Sequence, residues 1–398
     1  MQKIFTILFL STIVVANSAA HGQSTSNRKA IELVGVVSIS ADTQDLSKLE
    51  GGFENGIRQN QFGGISGIDY DSKNDCYWAI SDRGPNDGAV DWICRAHKLE
   101  LKLGPDRQAA TAKLLKTVIL KDPQGRTFSG SSAAFQYVSA IAGRFDPEGI
   151  RVFQNSLFIS DEYGPYLKQF SLDGTQQTEL KVPDSYKIET PHRDEAEEKA
   201  ANQSGRLPNR GMEGLACSAD GRLFGLMQSP LIQDSQRLDN GSVVGLNCRL
   251  VAYDSTPAPS AEFVYRLDDQ KNKLNEILSI DDNRFLVIER DSEVGAASAF
   301  KRIMLADLGQ ATNVSNLSSL PLELNESLRP VQKSTFIDLL DPSFDLVGES
   351  FPEKVEGLSW GPTMPDGRKT LVVAVDNDFE PTIPTQFWIF AIEPKVLQ

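Results

Sequence analysis

Residues 354–379 read KVEGLSWGPTMPDGRKTLVVAVDNDF. An acidic residue followed by glycine (Glu356, Gly357) opens a short strand, and Pro365, Asp366 and Gly367 turn the chain. An apolar, β-branched run follows, and Asp376, Asn377 and Asp378 close it. Four upstream stretches repeat this plan: GGISGIDYDSKNDCYWAISDRGP from Gly63, DPEGIRVFQNSLFISDEYGP from Asp146, GMEGLACSADGRLFGLMQSP from Gly211 and KLNEILSIDDNRFLVIERDS from Lys273. The opening positions, Ser66, Glu148, Glu213, Glu276 and Glu356, are separated by 82, 65, 63 and 80 residues. A minimal propeller blade takes ~40 to 50 residues, so insertions or further blades are expected between them. Segments 99–120 and 334–340 are candidates for additional strands. Radial repetition of four-stranded sheets leaves only short, protected edges. The reading is therefore an all-β chain, a β-propeller of about six blades. The competing architecture is an irregular β-sandwich with look-alike hairpins. Because the last strands lie near the C-terminus, closure of the ring is expected to pair residues 31–40 into the final blade.

The composition supports a globular core and narrows the partners. Hydrophobic side chains make up 40% of the 398 residues, enough to bury a large interior. Forty basic against 54 acidic residues leave a net charge of -14 with no basic tract, which excludes a phosphate-tracking nucleic-acid surface. Only three histidines are present, His21, His97 and His192, and no H-E-x-x-H stretch occurs. A zinc site built from several histidines is excluded on that supply, and a Ser-His-Asp hydrolase is disfavoured.

The N-terminus reads as an export signal. Lys3 precedes an apolar run over residues 4–16, and small residues follow at Ser18, Ala19, Ala20 and Gly22. The run is shorter than the ~20 residues a spanning helix needs, and no later segment approaches that length. The expected organisation is a signal peptide over residues 1–22, a flexible mature N-terminus over 23–30 and one propeller domain over 31–398. The exported chain would be periplasmic or extracellular, with no transmembrane segment after signal removal. Four cysteines allow three pairings. Proximity in sequence favours Cys76 with Cys94 and Cys217 with Cys248, and free buried thiols are the alternative.

The first strand of each blade lines the propeller channel, so Glu148, Glu213 and Glu356 are expected to converge. Clustered carboxylates raise one another's pKa unless a cation sits among them. A hard divalent ion with oxygen ligands, calcium first, resolves the conflict. The alternative is capping of local N–H groups or pairing with arginine. A second polar ring ends the second strands: Asp82 with Arg83, Asp161 with Glu162, Glu289 with Arg290 and Asp291, and Asp376 with Asn377 and Asp378. Loops of this kind gather on one face. A metal held by Glu148, Glu213, Glu356, Asp376 and Asp378, with Asp82, Arg83, Asp161, Glu162 and Arg290 as the catalytic group, would suit phosphate chemistry. Ordinary turn chemistry is the competing account of each cluster.

The motifs GGISGIDYD, SDRGP, FDPEGI, ISDEYGP, NRGMEGLACSADGRL, SIDDNRFLVIERD, KRIMLADL and VEGLSWGPTMPDGRKTLVVAVDNDF followed by TQFWIFAIE, spread from about Gly63 to Glu393, also resemble the phytase-like domain family, described as having esterase-like activity of phytase. The resemblance implies a propeller, an exported location and calcium-dependent phosphoester hydrolysis. The functional expectation is an exported, metal-assisted hydrolase of phosphoesters or related esters, with a small-molecule ester as substrate. The alternative is a non-enzymatic propeller that binds a ligand or protein partner on its acidic face.

Overall fold

The computed structural model describes residues 29–398 except 105, 107, 108, 136–140 and 255. The signal-peptide reading and most of the mature N-terminal segment lie outside these residues. Five four-stranded antiparallel sheets make up the fold. From the axis outward, blade 1 is Ile65–Asp71, Cys76–Ser81, Arg95–Lys102 and Thr111–Ile119. Blade 2 is Pro147–Phe153, Ser156–Asp161, Leu167–Ser171 and Gln176–Leu180. Blade 3 is Met212–Cys217, Leu223–Met227, Asn247–Tyr253 and Pro259–Arg266. Blade 4 is Lys273–Ser279, Arg284–Arg290, Lys301–Asp307 and Gln332–Asp338. Blade 5 is Val355–Trp360, Lys369–Val375, Thr385–Ile392 and, outermost, the N-terminal strand Ile31–Ile39. Each innermost strand packs beside the next, and that of blade 5 returns to that of blade 1, so the ring is closed with five blades.

Six blades is thus corrected to five. The candidate extra strands complete blades already counted: segment 99–120 supplies the third and fourth strands of blade 1, and 334–340 the fourth of blade 4. The long intervals are filled by excursions between blades, including a two-stranded parallel pair (Thr127–Ser129 with Ile141–Arg144) and a charged insertion carrying the short helix Glu195–Ala201. The expected closure by the N-terminal strand is present. Ile31–Ile39 pairs antiparallel with Thr385–Ile392, Val37 opposite Phe387. The two chain ends are thereby clasped in one sheet.

Five hydrophobic cores, one per blade junction, hold the ring together. The second strand of each blade is buried on both faces, which is why these segments read as unbroken apolar runs. In blade 1, Trp78 and Ile80 pack toward blade 2, while Tyr77 and Ala79 pack toward blade 5. In blade 5, Leu371 and Val373 face blade 4, while Val372 and Ala374 face blade 1. The glycine after the opening residue reflects the crowding of innermost strands. A Cβ on Gly67 would stand 2.4 Å from the Glu148 carbonyl oxygen, and one on Gly149 would stand 2.7 Å from the Leu215 nitrogen.

The proposed disulfides are absent: Cys76, Cys94, Cys217 and Cys248 are free thiols. With five cores, the ring needs no covalent staple. Reductant is therefore expected to leave the melting temperature unchanged within about 1 °C. Cys94 and Cys248, fully buried with thiols pushed above the usual range by burial, should react with a thiol reagent only on unfolding. Rapid labelling of both in the native protein would contradict this.

Candidate functional site

The register of the blades decides which side chains reach the axis. Each innermost strand carries an irregularity at its opening residue: between Ile65 and Gly67, Pro147 and Ile150, Met212 and Gly214, Leu274 and Ile277, and Val355 and Gly357. Aligned on these bulges, the ring of equivalent positions is Ser66, Glu148, Glu213, Asn275 and Glu356. Blade 4 is therefore corrected: Asn275, not Glu276, holds the channel position. Glu276 occupies the glycine position and is ion-paired with Arg151 at 3.0 Å. The ring is hydrogen-bonded within itself. Ser66 Oγ donates to Glu148 Oε2, and Asn275 Nδ2 donates to Glu213 Oε1 at 2.7 Å and to Glu356 Oε1 at 3.3 Å.

Antiparallel pairing brings the end of each second strand beside the start of the first. The N–H groups of Asp82, Glu162, Gln228 and Asp376 donate to the carbonyls of Gly64, Asp146, Gly211 and Lys354, and Lys273 pairs with Arg290 in blade 4. The two polar rings expected separately are thus a single mouth. Each blade contributes three residues to it: one two positions before the ring, one in the ring, and one at the second strand's end. Blade 1 supplies Gly64, Ser66 and Asp82; blade 3 supplies Gly211, Glu213 and Gln228; blade 5 supplies Lys354, Glu356 and Asp376. Blade 2 is wholly acidic, with Asp146, Glu148 and Glu162. Blade 4 carries Lys273, Asn275 and Arg290 and no acid at these positions.

Of these, Asp82, Glu148, Glu162, Glu213, Gln228, Lys273, Arg290, Lys354 and Glu356 line an axial cavity of about 220 Å³. Around Asp146, Glu148 and Glu162, one carboxylate oxygen from each lies within 4.8 Å of the others, and all three side chains are buried. Burial, then Glu213, Asp146 and Glu162, pushes Glu148 well above the usual carboxylate range. Burial raises Asp146 to about 7 against the opposing pull of Arg83, with Glu162 and Asp161 adding to the rise. Glu213 is likewise raised by burial and then by Glu162 and Glu356, and its Oε2 has no hydrogen-bond partner.

A second acidic group, Asp82, Asp376 and Asp378, meets the same distance condition. It differs in charge balance, because Lys354 Nζ stands 2.7 Å from Asp378 Oδ1 and 3.3 Å from Asp376 Oδ2. Burial opposes the charge of Lys354, but Asp376, Glu356 and Asp82 outweigh it and hold the ammonium charged. Among the described residues the blade 2 group is ion-paired only with Arg83, 3.5 Å from Asp146 Oδ2 and shared with Asp87 at 2.9 Å. Three buried oxygen-donor side chains with little compensating charge fit a hard divalent cation.

The sequence-derived set is accordingly divided. Glu148, Glu213 and Glu356 do face one channel, but Glu356 is bound by Arg290 at 2.8 Å, while Asp376 and Asp378 are bound by Lys354. Asp161 does not line the cavity: it accepts from the Asp146 N–H at 2.7 Å and from the Gly164 N–H, a turn-holding role. Asp82, Arg83, Glu162 and Arg290 do line it. Glu289 and Asp291 are consumed by neighbouring donors, Tyr265, Asn272 and Lys333 for the first, and Ala299, Phe300 and Lys301 for the second.

Sequence reading missed Asp146, Arg210, Gln228, Lys273 and Lys354. The signal for three of them was present: Asp146, Lys273 and Lys354 each stand two residues before a ring position, where strand alternation returns a side chain to the channel face. Lys273 and Arg210 have no carboxylate within ion-pair distance among the described residues. Burial, with Arg210 and Arg290 nearby, lowers Lys273 to about 8. His97 touches Ser81 Oγ at 3.1 Å, but both are fully buried in blade 1 and burial lowers the imidazole to about 4. That pair cannot serve a substrate.

The family model described as Phytase-like, esterase-like activity of phytase, matches residues 60–379. A protein from Arthroderma benhamiae described as an uncharacterized secreted protein is 28% identical over 343 residues, covering 66% of each chain. The chain thus spans just under two thirds of that relative's length. Among solved structures, the PQQ-bound aldose sugar dehydrogenase of Streptomyces coelicolor is 11% identical with a TM-score of 0.35, over 90% of this chain and 94% of that one. The calcium-binding protein regucalcin of Agrobacterium tumefaciens is 11% identical with a TM-score of 0.32, over 82% and 90%.

Proposed function

The chain belongs to the phytase-like family, and from that premise we propose that it is an exported, calcium-assisted hydrolase of phosphomonoesters or closely related esters, freed of residues 1–22 on export. The observation that carries this reading is the division of charge around the axial cavity. An acidic blade 2 that fits a divalent cation shares the cavity with Lys273, Arg290 and the nearby Arg210. A phosphate ester needs both, a cation to draw off charge from one oxygen and N–H donors for the others.

Asp146, Glu148 and Glu162 would hold the calcium. A bound divalent cation polarises a phosphoryl oxygen and lowers the pKa of water. Lys273 and Arg210, free of carboxylate partners, bind the remaining oxygens. Arg290 is kept in place by Glu356 and lines the cavity. Glu213 is buried, and burial with the nearby Glu162 and Glu356 pushes its carboxyl up, which favours the protonated form. Its unpartnered Oε2 is the donor to the departing alcohol oxygen.

Chromogenic phosphomonoesters, phosphodiesters and carboxyl esters, assayed with calcium and with chelator, test the reading. Phosphomonoesters should be turned over fastest and only with calcium. Lys273→Met should lower kcat/KM by about 10²-fold, the weight of one or two charge-assisted hydrogen bonds. No hydrolysis of any ester, alongside calcium-dependent binding of phosphate, would instead assign the cavity to a ligand-binding propeller.

A further inference from the structure

Beside the axial cavity lies a larger groove of about 1030 Å³ along the mouth side of blade 5. The two share Glu353, Lys354 and Asp378, so they adjoin at these side chains. Their chemistry differs sharply. The axial cavity is lined by charged and amide side chains, whereas the groove sets Val36, Val294, Leu346, Pro352, Ile383 and Pro384 among polar and acidic residues such as Asp345, Glu349 and Glu380. Val294 and Ile383 are 55% and 47% exposed, an unfavourable placement for large aliphatic side chains that no neighbour covers. Exposed aliphatic side chains gathered in a concave surface that also carries polar groups are the usual mark of a binding groove.

We propose that this groove receives the apolar part of an amphiphilic phosphomonoester whose phosphate enters the axial cavity past Lys354. This names the substrate class for the proposed hydrolase and rests on that reading. A polyanionic, fully hydroxylated or phosphorylated ring would leave the groove's aliphatic side chains unused. A linear alkyl or aryl group attached through one oxygen buries those side chains while its head meets Lys273 and Arg210. Each methylene moved from water onto such a surface adds about fourfold in affinity.

The test is a series of linear alkyl phosphates from ethyl to decyl, with the matching non-hydrolysable alkylphosphonates titrated calorimetrically in calcium. KM and the phosphonate Kd should fall by about three- to fourfold per methylene until the groove is filled. Val294→Asp and Ile383→Asp stand outside the axial machinery and on the surface. They should flatten that dependence while leaving ethyl phosphate turnover and the melting temperature unchanged. Turnover with a chain-length-independent KM would overturn the groove assignment and leave the hydrolase. Chain-length-dependent phosphonate binding without any turnover would retain the groove and overturn the hydrolase. Binding and turnover both indifferent to chain length in wild type and variants would leave the groove to some other occupant.

Discussion

Withdrawal of calcium by a chelator is expected to abolish phosphomonoester hydrolysis and to lower the melting temperature by several degrees, and Glu148→Gln should reproduce both effects with calcium present. The argument is one of charge. Asp146, Glu148 and Glu162 crowd three buried carboxylates within one coordination sphere, and the nearest cation, Arg83, is shared with Asp87. A ligand that binds only the folded chain stabilises it by about 2.7 kcal/mol at a hundredfold excess over Kd. Loss of several kcal/mol of transition-state stabilisation corresponds to about 10³-fold in rate. The glutamine variant supplies a control that a merely damaged fold could not mimic. With one repelling carboxylate neutralised, Glu148→Gln in chelator should melt at or above the temperature of chelated wild type, and added calcium should change it little. Titration of demetallated wild type without heat, with a melting temperature indifferent to chelator, would leave blade 2 as a set of hydrogen-bond acceptors.

A second large effect is an inversion of the pH dependence of stability by calcium. Asp146 and Glu356 are each raised to about 7 by burial, while in the unfolded chain such groups titrate near 4. Between these values the folded chain binds more protons than the unfolded one, so stability falls as pH rises through that window. His97 works in the opposite sense. Its folded value of about 4 lies below its unfolded value of about 6.5, so it adds stability as pH rises from 4 to 6.5 and nothing beyond. Two raised carboxylates outweigh one depressed imidazole. Chelated protein should therefore be most stable in mildly acid solution and lose on the order of 3 kcal/mol by pH 8. Calcium requires Asp146 and its neighbours Glu148 and Glu162 ionised, so the melting-temperature gain it confers should be small at pH 5.5 and largest at pH 8. Thermal scans at both values, with calcium and with chelator, measure this directly. An equal gain at the two pH values would remove the carboxylates from the binding site.

Much of the architecture is legible in the chain because strand alternation is a local property. Runs such as CYWAIS and LVVAV must be buried on both faces, and the acid-glycine pairs mark positions where neighbouring backbones nearly touch, as at Gly149. The clasp of the first strand onto the last follows from the same pattern. The excursions between blades were harder. Residues 183–210 are rich in charged side chains, yet Arg206 and Glu198 form a buried pair at 2.6 Å that anchors the segment. Composition does not reveal whether two distant charges meet.

By itself the sequence determined the strand repeat, the closing strand, the scarcity of histidine and cationic tracts, and the placement of Glu148, Glu213 and Glu356 on channel-lining strands. Each follows from residue type and period-two spacing alone. Only the tertiary structure decided that the ring closes at five blades, since closure depends on inner strands from blades 1 and 5 lying side by side. It alone also decided how the charges divide. Arg290 was drawn to Glu356 and Lys354 to Asp376 and Asp378, while Lys273 and Arg210 have no ion-pair partner among the described residues and blade 2 was left acidic. Ion pairing falls off over a few ångströms. Its outcome is therefore set by distances between blades that are far apart along the chain.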